Sequence, residues 1–446
     1  MSTPISRRLF CAGTLLPVAA LLPGCGGGGS DAGPQAQALG IGAGRHLDTA
    51  APARWAGIAI RAAALGPPPG LPPYIKTRAY AMAFLAAHDA LNAIEPVYAT
   101  YLNPGSAPGA NPDAAVAAAV HDVLVHELPL ATTLLDSEYA AALAAIVGGG
   151  AAAKGIAAGQ ASAAAMLAAR ANDGLADIEG PFTEGSAPGE YRFTPPFDFA
   201  AAVHLADRMT PFSIPSSSAY RVEAPYDVTS AAYAADFDEV KTLGAAVGST
   251  RTADQSELAI FWLEGTFDSW MQIAVQLAAK CQMDGWALAR TLALLQVGQA
   301  DCYTAGFESK YHWRFWRPIS AIRLGGVGGP NDADGNPATV GDAGWVSYDP
   351  VCPPVPDHPS THSTSAGAGA AVLQECFGGD DATFTHQSVT LPGPTRSFTS
   401  FSQCAAEIAE SRVCVGYHFR HAVNTGLVQG RQVGEQVMAS RLKPRA

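Results

Sequence analysis

The chain has 446 residues, 48% of them hydrophobic and 15% charged, with a formal net charge of −12. That is enough apolar content for a large buried core, and too acidic a balance for a nucleic-acid partner. Polar or charged residues interrupt every apolar run after the first two dozen residues, so no later segment reads as a bilayer span.

Residues 1–24 read as a targeting segment. Ser6-Arg7-Arg8-Leu9-Phe10 is a twin-arginine start and Cys11 to Leu22 a short apolar stretch. Leu22-Pro23-Gly24-Cys25 resembles a lipoprotein processing box, and residues 25–45 read as a flexible linker, so Cys25 is a candidate lipid anchor. Export by the twin-arginine route implies a periplasmic or membrane-tethered protein. Removing residues 1–24 takes away Arg7 and Arg8 and no acid, leaving 25 basic against 39 acidic residues, a net −14. Any anion site must then be a local focus of cations. Beyond Cys25 remain Cys281, Cys302, Cys352, Cys376, Cys404 and Cys414, an even set that allows disulfides or buried thiols.

From Ala51 to about Asp173 apolar residues recur at three- and four-residue spacing, notably over Thr77–Ile94, Asp113–His126 and Lys154–Asn172. Many of these positions are alanine, which predicts close helix approach. His88, Asp89 and Asn92 share a helical face and read as a polar stripe satisfied between helices. Gly174 to Ser230 has no sustained period and reads as a long surface loop. Helical text resumes near Tyr233, breaks at Gly248–Asp254, and runs from Glu257 to Ala321 with Trp262, Trp270 and Trp286 as packing residues. A domain boundary is placed at this break, giving an N-terminal helical domain (46–250) and a C-terminal one (251–446). Leu324 to His358 is a second loop, rich in turn residues. Helices are expected again over Ser363–Cys376, Ser402–Val415 and, after a kink at Gly416, Phe419–Met438. No strand-length alternation persists anywhere. The expected class is all-α, helical bundles with long irregular surface loops.

Three stretches near the C-terminus carry the chemistry: Lys310 to Pro318 (Lys-Tyr-His-Trp-Arg-Phe-Trp-Arg-Pro), Pro359-Ser-Thr-His362-Ser363, and Ser411-Arg412 followed by His418. Lys310, Arg317 and Arg412 supply three cations, Ser360 a hydroxyl, and His362 and His418 two imidazoles, a set that suits an oxyanion needing acid-base or covalent help. Ser360 is placed to cap a helix whose first free amides, at Thr361 and His362, face an anion. Lys310 and Arg317, seven apart, are expected to project from one side of a helix ending near Pro318, with Glu308 or a bound oxyanion as partner. Arg412 and His418 flank Gly416, where a break lets both turn to one point. Zinc at His358/His362 and His418/His421 is disfavoured by Pro359 and by the neighbouring cations.

In order and internal spacing the three stretches resemble the signature of the vanadium-dependent haloperoxidases and the phosphatidic acid phosphatase type 2 superfamily. The Arg78–Ile94 helix, Gly155–Gly174 and Phe315–Arg323 look like bacterial vanadium haloperoxidase-related proteins. The resemblance implies two packed helical bundles, with Lys310, Arg317, Ser360, Thr361, His362 and Arg412 holding vanadate, His418 bonded to its metal and His362 as acid-base residue. It implies hydrogen peroxide and halide as substrates, the metal serving as a Lewis acid. The alternative it allows is a soluble acid phosphatase, with phosphate or a phosphomonoester in the same site and His418 as nucleophile. A third is an inactive oxyanion-binding homologue. Two positions depart from the pattern. Thr361 stands where glycine is usual, which implies a crowded pocket or a shifted turn. Ala422 stands where an acidic residue is usual, which leaves His421, Asn424 or a backbone carbonyl to orient His418.

Overall fold

The computed structural model describes residues 49–66, 71–178, 180–200, 208–328 and 334–445. The targeting segment, the linker and Cys25 lie outside them. The described chain is helical, in chain order α1 (Ala51–Ala63), α2 (Pro73–Ile94), α3 (Pro112–Glu127), α4 (Thr132–Ala144), α5 (Gly149–Arg170), α6 (Ala231–Leu243), α7 (Ala253–Phe261), α8 (Thr266–Lys280), α9 (Gly285–Trp313), the single turn α10 (Pro318–Ser320), α11 (Thr361–Phe377), α12 (Phe401–Cys414) and α13 (Arg420–Ser440). The run expected to be continuous from Glu257 to Ala321 is four helices, α7 to α10, divided at Trp262–Gly265, Cys281–Asp284 and Arg314–Arg317.

Small residues set the spacing. On α13, Gly426, Gly430 and Gly434 recur every four residues and face α11. A Cβ at Gly430 would sit 1.9 Å from the Thr364 carbonyl oxygen, and one at Gly426 2.6 Å from that of Ser360. The two helices therefore touch backbone to backbone, with alanine and glycine where larger side chains would hold them apart. Glycine does the same between α3 and α5, where the Ala114 and Ala118 side chains lie against Gly155 and Gly159. Long α9 is buried along most of its length, with α2 on one side and α11 and α13 on another. All described residues fall in one compact unit, and the Gly248–Asp254 break is a loop inside it.

The expectation of no strands fails. Asp381–Gln387 and Thr395–Ser400 form an antiparallel hairpin, β1 and β2, with Phe384 opposite Phe398. The polar stripe on α2 is satisfied as expected. Asp89 accepts from the Tyr101 and Leu102 amides at 2.8 and 2.7 Å, Asn92 from those of Val97 and Tyr98, and His88 donates to the Ala99 carbonyl. Arg78, Arg170 and Asp173, with Glu127, form a buried ion network that ties α2 to α5 and to the Thr210–Phe212 loop. The six described cysteines are free thiols, four of them buried. Among the described residues no single helix is long and apolar enough to cross a membrane.

Candidate oxyanion site

Lys310 lies on the last turn of α9. That helix stops at Trp313 because Arg314 adopts a left-handed conformation (φ 48°), so Arg317 lies beyond it as the N-cap residue of α10. The two cations do not share a helix face, contrary to the reading from their spacing. They meet instead on the loop that precedes α11. Lys310 Nζ donates to the Pro356 and Asp357 carbonyls at 2.7 and 2.9 Å, and Arg317 Nε to that of Val355 at 2.7 Å. Glu308 is not their partner, since its carboxylate pairs with Arg221.

Ser360 caps α11 as expected, its Oγ accepting from the Ser363 amide at 3.4 Å. Its own N–H donates to the Ala422 carbonyl at 2.8 Å, which fixes the start of α11 against α13. Thr361 neither clashes nor shifts the turn. Its methyl faces Gly306 of α9, 3.4 Å from where a Cβ there would lie, an ordinary van der Waals distance. His362 is partly exposed, and its Nε2 donates to the Glu264 carbonyl at 3.1 Å. Glu264 belongs to the Trp262–Gly265 loop between α7 and α8. The hairpin buttresses this loop: the Glu264 carboxylate binds His386, accepts from Ser388 at 3.0 Å and from the Val389 amide at 2.9 Å.

The third stretch is shaped by Gly416. At φ 84° it ends α12 in the left-handed region, and a Cβ there would lie 2.5 Å from the Gly244 carbonyl oxygen, so glycine meets both demands. The reversed chain lets the Tyr417 and His418 amides donate back to the Arg412 carbonyl at 3.1 and 3.3 Å. Arg412 Nη1 donates to the Trp262 carbonyl at 3.1 Å. Arg317 Nη1 donates to the Tyr417 carbonyl and lies 2.9 Å from His418 Nε2.

A carboxylate does face His418, from an unexpected place. Asp357 Oδ1 lies 2.9 Å from His418 Nδ1 and 4.0 Å from Arg317 Nη1. The histidine contact is short but bent, so neither carboxylate oxygen has an aligned donor. Neither side-chain substitute proposed from the sequence serves. Asn424 is exposed, while His421 donates to the Ala224 carbonyl and stacks between Tyr226 and His358. The available signal was an acid three residues before the Ser360 cap, in the loop that leads into the site.

Electrostatics sharpen the picture. Burial, and then the neighbouring arginines and lysine, hold His362 and His418 well below the usual imidazole range, so both are neutral near pH 7. Burial and Arg317 lower Lys310 as well, and Arg412 falls to about 10 through burial, with Arg317 adding to the fall. Burial pushes Asp357 up to about 7 against the pull of Arg317 and Lys310. Three cations thus crowd a dry pocket that holds one acid. The neutral tautomers follow from partners: a carbonyl only accepts, so His362 carries its proton on Nε2 and keeps Nδ1 as a base. Around His418, Asp357 stands on the Nδ1 side and Arg317 Nη1 lies 2.9 Å from Nε2.

Two buried donors in this cluster have no protein partner, Arg412 Nε and the Ser363 hydroxyl. Orphan donors among uncompensated cations are what a bound oxyanion would satisfy, so these residues fit vanadate or phosphate.

The fold is helical with one hairpin among the described residues, the site offers the donors an oxyanion would need, and known proteins show what the chain resembles. Residues 290–444 match the family model of the VCPO second helical-bundle domain. The vanadium chloroperoxidase of Curvularia inaequalis is 30% identical over 102 residues, 23% of this chain and 16% of that protein, so the match spans about one sixth of the relative's length. Among solved structures, a bacterial vanadium-dependent iodoperoxidase superposes with a TM-score of 0.72 at 23% identity, covering 88% of this chain and 97% of that one. The holo form of a bacterial vanadium-dependent chloroperoxidase gives 0.68 at 19%, covering 84% and 94%. Residues 290–444 thus resemble that helical-bundle domain, and the chain shares the fold of the bacterial vanadium-dependent haloperoxidases.

Proposed function

We propose that the protein is an exported haloperoxidase that binds vanadate at His418 and uses hydrogen peroxide to oxidise halide. The observation that carries this reading is the cluster of Lys310, Arg317 and Arg412, with orphan donors at Arg412 Nε and Ser363, around a His418 whose Nε2 faces Arg317 Nη1 at 2.9 Å, on the side where the cations gather. Bound vanadate supplies Lewis-acid activation of hydrogen peroxide without changing oxidation state. The chain's own residues do the rest. The three cations hold negative charge on the oxyanion oxygens, Ser360 with the Thr361 and His362 amides closes the cradle at the start of α11, and His418 Nε2 fixes the centre. His362 takes up and returns a proton at Nδ1, while its Nε2–H stays on the Glu264 carbonyl.

The contact between Asp357 and His418 also supports phosphomonoesterase activity, because a nucleophilic histidine needs a fixed tautomer. Two assays on the mature protein decide. Vanadate- and peroxide-dependent bromination of a phenolic dye supports the haloperoxidase. Hydrolysis of a phosphomonoester that vanadate inhibits supports the phosphatase. Vanadate binding with neither activity leaves an oxyanion-binding homologue. The twin-arginine segment and the Leu22–Cys25 box support export, with Cys25 as lipid anchor, and mass spectrometry of the mature N-terminus tests both.

A further inference from the structure

We infer that Asp357 is the positioning residue for His418, so that the orienting carboxylate comes from the loop ahead of α11 instead of from α13. The inference rests on reading the site as an oxyanion cradle. Among the described residues, Asp357 is the acid set against this ring, at 2.9 Å, and both groups are buried. Its backbone is pinned on both sides: its N–H donates to the Phe315 carbonyl at 2.9 Å, and its carbonyl accepts from Lys310 at 2.9 Å. The carboxylate is thus held by the segment that carries two of the cations. Position 422 has another task, because its carbonyl accepts from Ser360 and its side chain is buried under the cap. Asp357 stands on the Nδ1 side of the ring and so favours the Nδ1–H tautomer, which leaves the basic Nε2 for the oxyanion centre.

Simple charge makes the opposite forecast, which gives the test its edge. Asp357 is the acid among three cations, so if it served only to neutralise them, removing it would strengthen the binding of any oxyanion. If it positions His418, removal weakens the ligand that bonds to the ring and spares the one held by charge alone. The experiment compares orthovanadate and inorganic phosphate binding by calorimetry for wild type, Asp357→Asn, His418→Ala and the double variant. Asp357→Asn is expected to weaken vanadate by roughly 10- to 100-fold, with phosphate unchanged or tighter. In the His418→Ala background the same change is expected to cost nothing. Vanadate binding by Asp357→Asn as tight as wild type, or an equal loss for both anions, overturns the inference while leaving the cradle intact. A wild type that binds no vanadate overturns both. ¹⁵N spectra of histidine-labelled wild type give a reading that needs no variant: His418 protonated on Nδ1 supports the assignment, and protonation on Nε2 refutes it.

Discussion

Gly430→Ala tests whether the site depends on backbone contact between α11 and α13. The new Cβ would lie 1.9 Å from the Thr364 carbonyl oxygen and 2.8 Å from the Ala368 amide nitrogen, with backbone on every side. Ordinary contact requires about 3.4 Å, so the helices must part by roughly 1.5 Å. Overpacking of this kind costs about 1–3 kcal/mol, and at about 2–4 °C per kcal/mol the melting temperature should fall by several degrees. The same displacement lies one turn from the 2.8 Å bond between the Ser360 amide and the Ala422 carbonyl, and stretching that bond by even half the shift removes it. The cap of α11 should loosen and vanadate affinity fall with it. Thermal unfolding by circular dichroism and vanadate titration measure the two effects. Gly57→Ala is the control, since nothing lies within 4 Å of its added Cβ and helix propensity favours alanine. A Gly430→Ala protein that melts within about one degree of wild type and binds vanadate equally would refute the argument.

Three further predictions use the same assays. His418→Ala should abolish turnover and weaken vanadate to the level held by the three cations alone, while His421→Ala, whose ring stacks on Tyr226 and bonds outside the cradle, should change either by about threefold or less; equal losses count against the assignment. His386→Ala leaves the buried Glu264 carboxylate without its histidine and should loosen the loop whose carbonyls hold His362 and Arg412. It should cost about 2–3 kcal/mol of stability and several-fold in turnover, with unchanged kinetics the refuting result. Burial holds His88 down to about 4, so the unfolded chain takes up a proton below about 6.5 that the folded one refuses. The contribution of His88 to stability is therefore lost as pH falls from about 6.5 to 4, by up to about 3 kcal/mol, and His88→Gln should lose correspondingly less over that range in denaturant titrations.

Apolar periodicity alone located most helices, because amphipathic and alanine-rich helices repeat their signal every turn. The three charged stretches converge as their residue types implied. What stayed hidden depends on contacts that carry no period. The inward positions of β1 are Phe384 and His386, and the second is polar because it serves Glu264, so alternation never develops. Helix α9 ends at Arg314, a non-glycine residue in the left-handed region with no breaker beside it, so Lys310 and Arg317 looked like neighbours on one helix. Asp357 meets His418 across 61 residues of sequence, between a loop and a turn that neither segment specifies alone.

The free thiols carry a consequence for where the molecule can be built. No covalent cross-link joins the six described cysteines, so nothing in the described fold waits on oxidation. Helices, hairpin and cradle can all be completed in a compartment that keeps thiols reduced, and the finished site can be loaded there. The vulnerability then lies elsewhere: Cys281 is the exposed thiol among the described six, and the first to meet stray oxidant.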